Sequence, residues 1–286
     1  MRTTLATGAF ALLVAAAVGN AIAQPDAKRG LYLSKAGGCI GCHTETRQGA
    51  QPYAGGRALK TPFGIFYGPN ITPHPQAGIG RWSEADFINA MRFGVRPDGA
   101  HYFPAFPYPS FTKITDADLR DLWAYLRSLL PSSRTSQPHD LRFPFGWRYP
   151  LWGWKWLFFT PGPFVPEGSK SANLNRGAYL VQALGHCGEC HTPRNFLGAP
   201  RKDRFLAGAK LPDGAGAQNL TPTRLKKQDD KDLIDLLQTA TTPDGDALAE
   251  SMAEVVRNTT SQLTPRDLAA LIAYLRSLPP LPAEPK

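Results

Sequence analysis

The chain has 286 residues, 42% of them hydrophobic, and 32 Lys and Arg against 23 Asp and Glu give it a formal charge of +9. That length accommodates one large domain or two small ones. The basic excess suggests a nucleic acid or an anionic membrane surface as partner, but no Lys/Arg block is dense enough to support either, so the charge reads as a solvated face that steers an acidic redox partner, or as one that serves solubility alone.

Arg2, the apolar run Phe10-Ala11-Leu12-Leu13-Val14-Ala15 and the small-x-small triplet Ala21-Ile22-Ala23 predict a signal peptide over residues 1–23, cut after Ala23. The run is short for a bilayer-spanning helix. The mature chain is therefore expected to begin at Gln24 in a bacterial periplasm, its charge lowered to +8 by the loss of Arg2. Arg29-Gly30-Leu31-Tyr32-Leu33 opens a helix running towards Cys39-Ile40-Gly41-Cys42-His43, and its Gly and Tyr suit a close helix crossing. Beyond Asn70-Ile71-Thr72-Pro73 and Trp82, Ser83 and Asp86 make a capping pair for a helix with Phe87, Ala90 and Met91 on one face. Thr115 and Asp118 cap a closing helix on which Leu119, Leu122, Trp123 and Leu126 recur at helical spacing.

Composition changes from Pro131 onwards. Phe143, Phe145, Trp147, Tyr149, Trp152, Trp154, Trp156, Phe158 and Phe159 stand among prolines, where a flexible linker would be polar and poor in aromatics. This stretch, residues 131–172, is expected to pack across both flanking domains, with a docking patch for a membrane or a partner as the sharper alternative.

The earlier elements then return. Arg176-Gly177-Ala178-Tyr179-Leu180 leads to Cys187-Gly188-Glu189-Cys190-His191; His191 follows His43 by 148 positions, and Asn219-Leu220-Thr221-Pro222 follows Asn70-Ile71-Thr72-Pro73 by 149. Pro97-Asp98-Gly99 recurs as Pro243-Asp244-Gly245, and residues 124–129 recur in full as 273–278. Lys231 to Thr239 pairs with the helix after Trp82. Thr264, Pro265 and Asp267 cap a closing helix carrying Leu268, Leu271, Ile272 and Leu275. Strand-like alternation is absent, so the expected class is all-α, with domains over 24–130 and 173–286 joined by the aromatic, Pro-rich 131–172.

The two motifs hold every cysteine of the chain. In a Cys-x-x-Cys-His run two thiols form thioethers to a porphyrin and the adjacent His ligates iron. A thioredoxin-like pair or a four-thiolate zinc site would also use such cysteines, but neither needs a His after each second Cys or matched sequence around both copies. The expected cofactors are two covalently bound haem c groups, attached through Cys39 and Cys42 and through Cys187 and Cys190, with His43 and His191 as proximal ligands. With both pairs committed, no disulfide is expected.

On Asn70-Ile71-Thr72-Pro73 before Gly78-Ile79-Gly80-Arg81-Trp82, Phe103-Pro104-Ala105-Phe106-Pro107-Tyr108, and Gly177-Ala178-Tyr179-Leu180 leading to Cys190-His191-Thr192-Pro193-Arg194, the chain resembles the cytochrome c subunits of bacterial alcohol and aldehyde dehydrogenases and their relatives serving molybdenum hydroxylases. The resemblance covers nearly all of the mature chain and implies two tandem class I cytochrome c domains. Many of those subunits carry three haems and a C-terminal membrane segment, whereas two motifs occur here. Many also have Met at the position of Phe106, as a distal ligand.

The distal ligands are accordingly the open part of the reading. Met91 and Met252 are the methionines left after the leader, and a thioether ligand raises the reduction potential of a haem. Met252 resembles the usual distal-Met segment and is assigned to the second haem. Met91 lies on a helix that in this fold lines the distal face, with Leu237 as its counterpart; it is assigned to the first haem, with Phe106 filling the loop position. His101 is the rival ligand, His74, His139 and His186 stand behind it, and an open iron is the remaining case.

The expected function is electron transfer from a periplasmic dehydrogenase, a quinoprotein or molybdenum enzyme oxidising an alcohol or aldehyde, to another cytochrome or a terminal oxidase of the respiratory chain. The alternatives are a peroxidase-like dihaem enzyme with an open first haem, and an electron-transfer subunit held to its complex or the membrane surface by the aromatic stretch. A Cys-ligated haem is disfavoured because no cysteine remains to ligate iron.

Overall fold

A computed structural model describes residues 24–211, 214–242 and 244–282. The expected leader, Pro243 of the repeated Pro-Asp-Gly and the last four residues lie outside them. In the first half, α1 (Ala27–Ala36) leads into the single turn α2 (Cys39–His43), followed by β1 (Ala58–Thr61), β2 (Gly64–Tyr67), α3 (Glu84–Phe93), α4 (Tyr108–Phe111) and α5 (Asp116–Arg127). β3 (Asp140–Leu141) and α6 (Pro150–Phe158) follow. The second half runs α7 (Ala172–Tyr179), a π-helical turn over Leu180–Leu184, α8 (Gly188–His191), β4 (Ala209–Lys210), β5 (Gly216–Ala217), α9 (Pro222–Leu225), α10 (Asp230–Thr239), α11 (Glu250–Asn258) and α12 (Pro265–Ser277).

The caps read from the sequence form as expected. Ser83 Oγ accepts from the Asp86 amide at 3.1 Å while Asp86 accepts from the Ser83 amide at 2.9 Å, a capping box on α3. Thr115 and Thr264 cap α5 and α12 through the Asp118 and Asp267 amides. The expectation of a chain without strands is corrected by two small antiparallel sheets, β1-β2-β3 and β4-β5. Their strands are two to four residues long, too short for period-two alternation to register.

α1 packs on α5, and α7 packs on α12. Both crossings are set by the paired glycines. A Cβ on Gly30 would overlap the Asp121 carbonyl oxygen, and one on Gly177 would overlap that of Ala270, so the helix backbones touch where no other residue fits. Arg29 then reaches Asp118 and Asp121, and Arg176 forms a bidentate pair with Asp267 at 2.6 and 2.8 Å.

The halves meet through contacts that exchange equivalent residues, as an isologous two-fold interface does. Tyr32 Oη donates to Asp267 at 2.6 Å, and Tyr179 Oη donates to Asp118 at 2.5 Å. The same phenols accept from the Thr264 and Thr115 amides at 3.3 and 3.2 Å. Lys35 with Gln262 and Lys113 with Gln182 repeat the exchange. Each half thus completes the cap of the other's closing helix, and one core, from Leu33 and Leu119 to Leu180 and Leu268, runs through both. Burial alone would raise the Asp267 carboxyl, but Arg176 and Tyr32 hold it below the usual range.

Candidate haem sites

α2 and α8 present the motifs as single turns. Each is entered through a left-handed residue directly before the leading cysteine, Gly38 (φ 61°) and His186 (φ 40°). Cys39, Cys42 and Cys187 are half-buried and Cys190 is exposed. Burial pushes the Cys42 thiol up to about 11 and the Cys187 thiol up to about 12. Such thiols stay protonated at neutral pH, which argues against a redox-active thiolate pair. Among the described residues no three His, Cys, Asp or Glu side chains gather as a metal cage, so the cysteines do not converge on a zinc site.

The two histidines are held alike. His43 Nδ1 donates to the Pro69 carbonyl at 2.8 Å, and His191 Nδ1 donates to the Gln218 carbonyl at 2.7 Å. A carbonyl can only accept, so the proton sits on Nδ1 and the Nε2 lone pair is left for a metal. Burial pushes both imidazoles below their ordinary pKa, against the carbonyl bond.

The repeated Asn-x-Thr-Pro segments explain why those carbonyls stay in place. Asn70 Oδ1 accepts from the Thr72 amide and hydroxyl at 2.9 and 2.7 Å, and its Nδ2 donates to the Ser132 and Arg134 carbonyls at 2.8 and 2.9 Å. Asn219 accepts from both Thr221 groups at 2.7 Å and donates to the Leu281 carbonyl at 2.8 Å. Pro69 and Gln218 immediately precede these asparagines, so each motif locks the acceptor that orients a histidine.

The second variable position of each Cys-x-x-Cys motif faces the other half. Gly41 lies against Glu254 and Asn258 of α11. Glu189 accepts from Ser110 of α4 at 2.7 Å. The two candidate centres therefore share one interface. Next to it, Tyr108 is fully buried and its Oη has no hydrogen-bond partner among the described residues, with burial and then Glu189 raising its pKa. An unpaired buried phenol costs stability, and a propionate is an acceptor of the chemistry it lacks. Together with the bare Nε2 atoms, this makes the residues present fit haem.

On the distal side, Met91 is buried on α3 within the core. Met252 is half-buried on α11, one turn from buried Val256 and away from the Glu254 and Asn258 face that meets α2. Phe106 packs with Tyr102 and Phe111 at ring distances of 5.2 and 5.8 Å, occupying its loop position with an aromatic cluster. The rival histidines all have local partners. His74 Nδ1 accepts from the Gln76 and Ala77 amides, His139 Nδ1 accepts from Tyr67, and His186 donates to the Leu184 carbonyl.

His101 has a partner that the sequence did not reveal. Lys155, on α6, is buried, and its Nζ donates to the Phe93 and Gly94 carbonyls at 2.6 and 2.8 Å and to His101 Nδ1 at 2.7 Å. It caps the C-terminal end of α3, the helix of Met91, and lies over the Tyr108 ring at 4.8 Å. Burial pushes its ammonium down to about 8. The unfolded chain therefore binds more protons than the native one from about pH 8 up to the ordinary lysine pKa, and native stability rises with pH across that window. Denaturant titrations at pH 7 and 9.5 are expected to show a pH-dependent gain in the wild type that Lys155→Met lacks.

The cytochrome c family model matches residues 27–130 and again 174–279. A diheme cytochrome c-type protein of Cereibacter sphaeroides is 42% identical over 98% of this chain and 99% of its own length. The cytochrome c subunit of the quinone alcohol dehydrogenase of Gluconacetobacter polyoxogenes is 37% identical over 99% of this chain and 62% of its own length. One polypeptide of the nicotinate dehydrogenase of Pseudomonas putida is 42% identical over 88% of this chain, a match that spans 21% of that polypeptide.

Proposed function

The chain belongs to the cytochrome c family, and from that premise we propose that it carries electrons in the periplasm from a dehydrogenase to the respiratory chain. It holds two covalently bound haem c groups, which supply one-electron chemistry when bound. The domains are 24–130 and 173–286, joined by 131–172, and the small sheets are additions to an all-α architecture.

The chain's own part is attachment, orientation and burial. Cys39, Cys42, Cys187 and Cys190 attach the two groups. His43 and His191 are the proximal ligands, their protons parked on Nδ1 by Pro69 and Gln218. Met252 would be the second protein ligand to the iron at the second centre and Met91 that at the first, a reading supported by the engagement of His101 with Lys155. The observation that carries the proposal is that both motifs lie on one interface made by exchanged contacts, which keeps the centres adjacent and their separation fixed.

The donor is a dehydrogenase of alcohols, sugars or related substrates, as the names of the relatives suggest, and the acceptor is another cytochrome or a terminal oxidase. Mixing the holoprotein with a quinoprotein alcohol dehydrogenase and its substrate is expected to reduce both haems rapidly. No reduction by such donors, or turnover of peroxide at a high-spin first haem, would refute the reading. Loss of one Met-to-iron absorption band in each of Met91→Ala and Met252→Ala is the expected spectroscopic result; an unchanged Met91→Ala spectrum would leave the first centre without its assigned ligand.

A further inference from the structure

α6 is apolar on both sides but uses only one of them. Leu151 is buried with Phe66 and Phe103, and Lys155 caps α3. Trp154 Nε1 donates to the Leu197 carbonyl of the second half at 3.0 Å, so the helix is clamped to both domains. The expectation that this stretch packs across the domains therefore describes its inner face.

The outer face is different. Tyr149 is 93% exposed, Trp152 70% and Trp156 79%, at a spacing that sets all three on one side of α6, and Phe143 and Trp147 in the preceding loop are exposed as well. Isolated exposed apolar residues need no explanation, but a contiguous aromatic face on a rigid helix marks an interaction site.

The geometry points to this face as a docking surface for an anionic lipid bilayer, with α6 lying in the plane of the headgroups. Tyr and Trp concentrate at membrane interfaces because an apolar ring and a polar edge suit that boundary. The charge pattern agrees: no Asp or Glu occurs between Asp140 and Glu167, and Arg142 is an exposed cation there, while Arg148 is held by the His101 carbonyl and Lys155 is buried against α3. α6 has nine residues, and among the described residues no helix is long and apolar enough to cross a membrane, so the surface rests on the bilayer. A protein partner would need a concave match for single aromatic side chains standing out from a convex helix, which a fluid interface does not. A second copy would set Arg142 against its own kind.

Attachment of this kind adds to the electron-transfer reading without depending on it. Co-sedimentation of the full holoprotein with phosphatidylglycerol/phosphatidylcholine vesicles, followed by haem absorbance, tests it. Binding to the anionic vesicles is expected, weakening with salt and with pure phosphatidylcholine. Trp152→Ser with Trp156→Ser should lower the partition coefficient about ten-fold or more, and Arg142→Glu should lower it too, with haem spectra unchanged in both. No binding at low salt, or full binding by the double Trp variant, would overturn the proposal. So would a double Trp variant that binds vesicles normally but no longer associates with its dehydrogenase, since the face would then belong to a protein partner. A chain that binds vesicles yet accepts no electrons would instead refute the carrier reading and leave this surface standing.

Discussion

A chain carrying Gly177→Ala is expected to lose about 3 kcal/mol or more of stability, at the upper end for overpacking because the obstacle is backbone. For a chain of this size that is a fall of roughly 10 °C in the unfolding midpoint. The direction is the informative part. Inside a helix, Ala is better than Gly by about 1 kcal/mol, so propensity alone predicts stabilisation. A Cβ at Gly177 instead meets the Ala270 carbonyl oxygen and Tyr274 Cβ, and neither can give way without separating α7 from α12. That separation would also break the Arg176–Asp267 pair and, through Tyr32, one of the two exchanged Tyr–Asp contacts between the halves. Gly153→Ala on α6 is the control: among the described residues nothing lies within 4 Å of its added Cβ, and the change should be neutral or mildly stabilising. Thermal unfolding of the two holoproteins, compared with wild type, checks both.

The second large effect concerns attachment. Cys187→Ala with Cys190→Ala should halve the haem content per chain and leave the second domain largely unfolded. The core there, with Val181, Leu184, Leu206 and Leu271, closes around the motif turn, and a cofactor that binds only the native state contributes its binding energy to folding. The loss should reach the first half too, because Asp118 receives Tyr179 from across the interface. Haem quantitation and far-ultraviolet circular dichroism follow the two consequences separately. An intact second domain in this variant would mean that the haem adds little to its fold.

Much of the architecture could be read locally. Capping pairs such as Ser83 with Asp86 act within one helical turn, and the glycines of α1 and α7 were recognisable as crossing points because the repeat supplied each of them twice. The motif histidines were plain from their place after Cys42 and Cys190. What stayed hidden was long-range. Tyr32 and Asp267 are 235 residues apart, and no pattern in either helix marks them as partners. Lys155 lies in the aromatic stretch, buried and tied to His101 and the end of α3. The nearest signal was its spacing from Leu151, which puts both on one helical face. The Asn-x-Thr-Pro repeat was visible as a motif, but its task of holding the carbonyls that orient His43 and His191 emerged only from the hydrogen bonds.

The measurement that addresses the central claim most directly is an anaerobic reductive titration of the wild-type holoprotein, read by its visible spectrum and driven by a dehydrogenase and its substrate. Uptake of two electrons per chain, both at low-spin haems, is the result that two adjacent His/Met centres require. Uptake of one electron, or a first haem that stays high-spin and reacts with peroxide instead, would contradict the account.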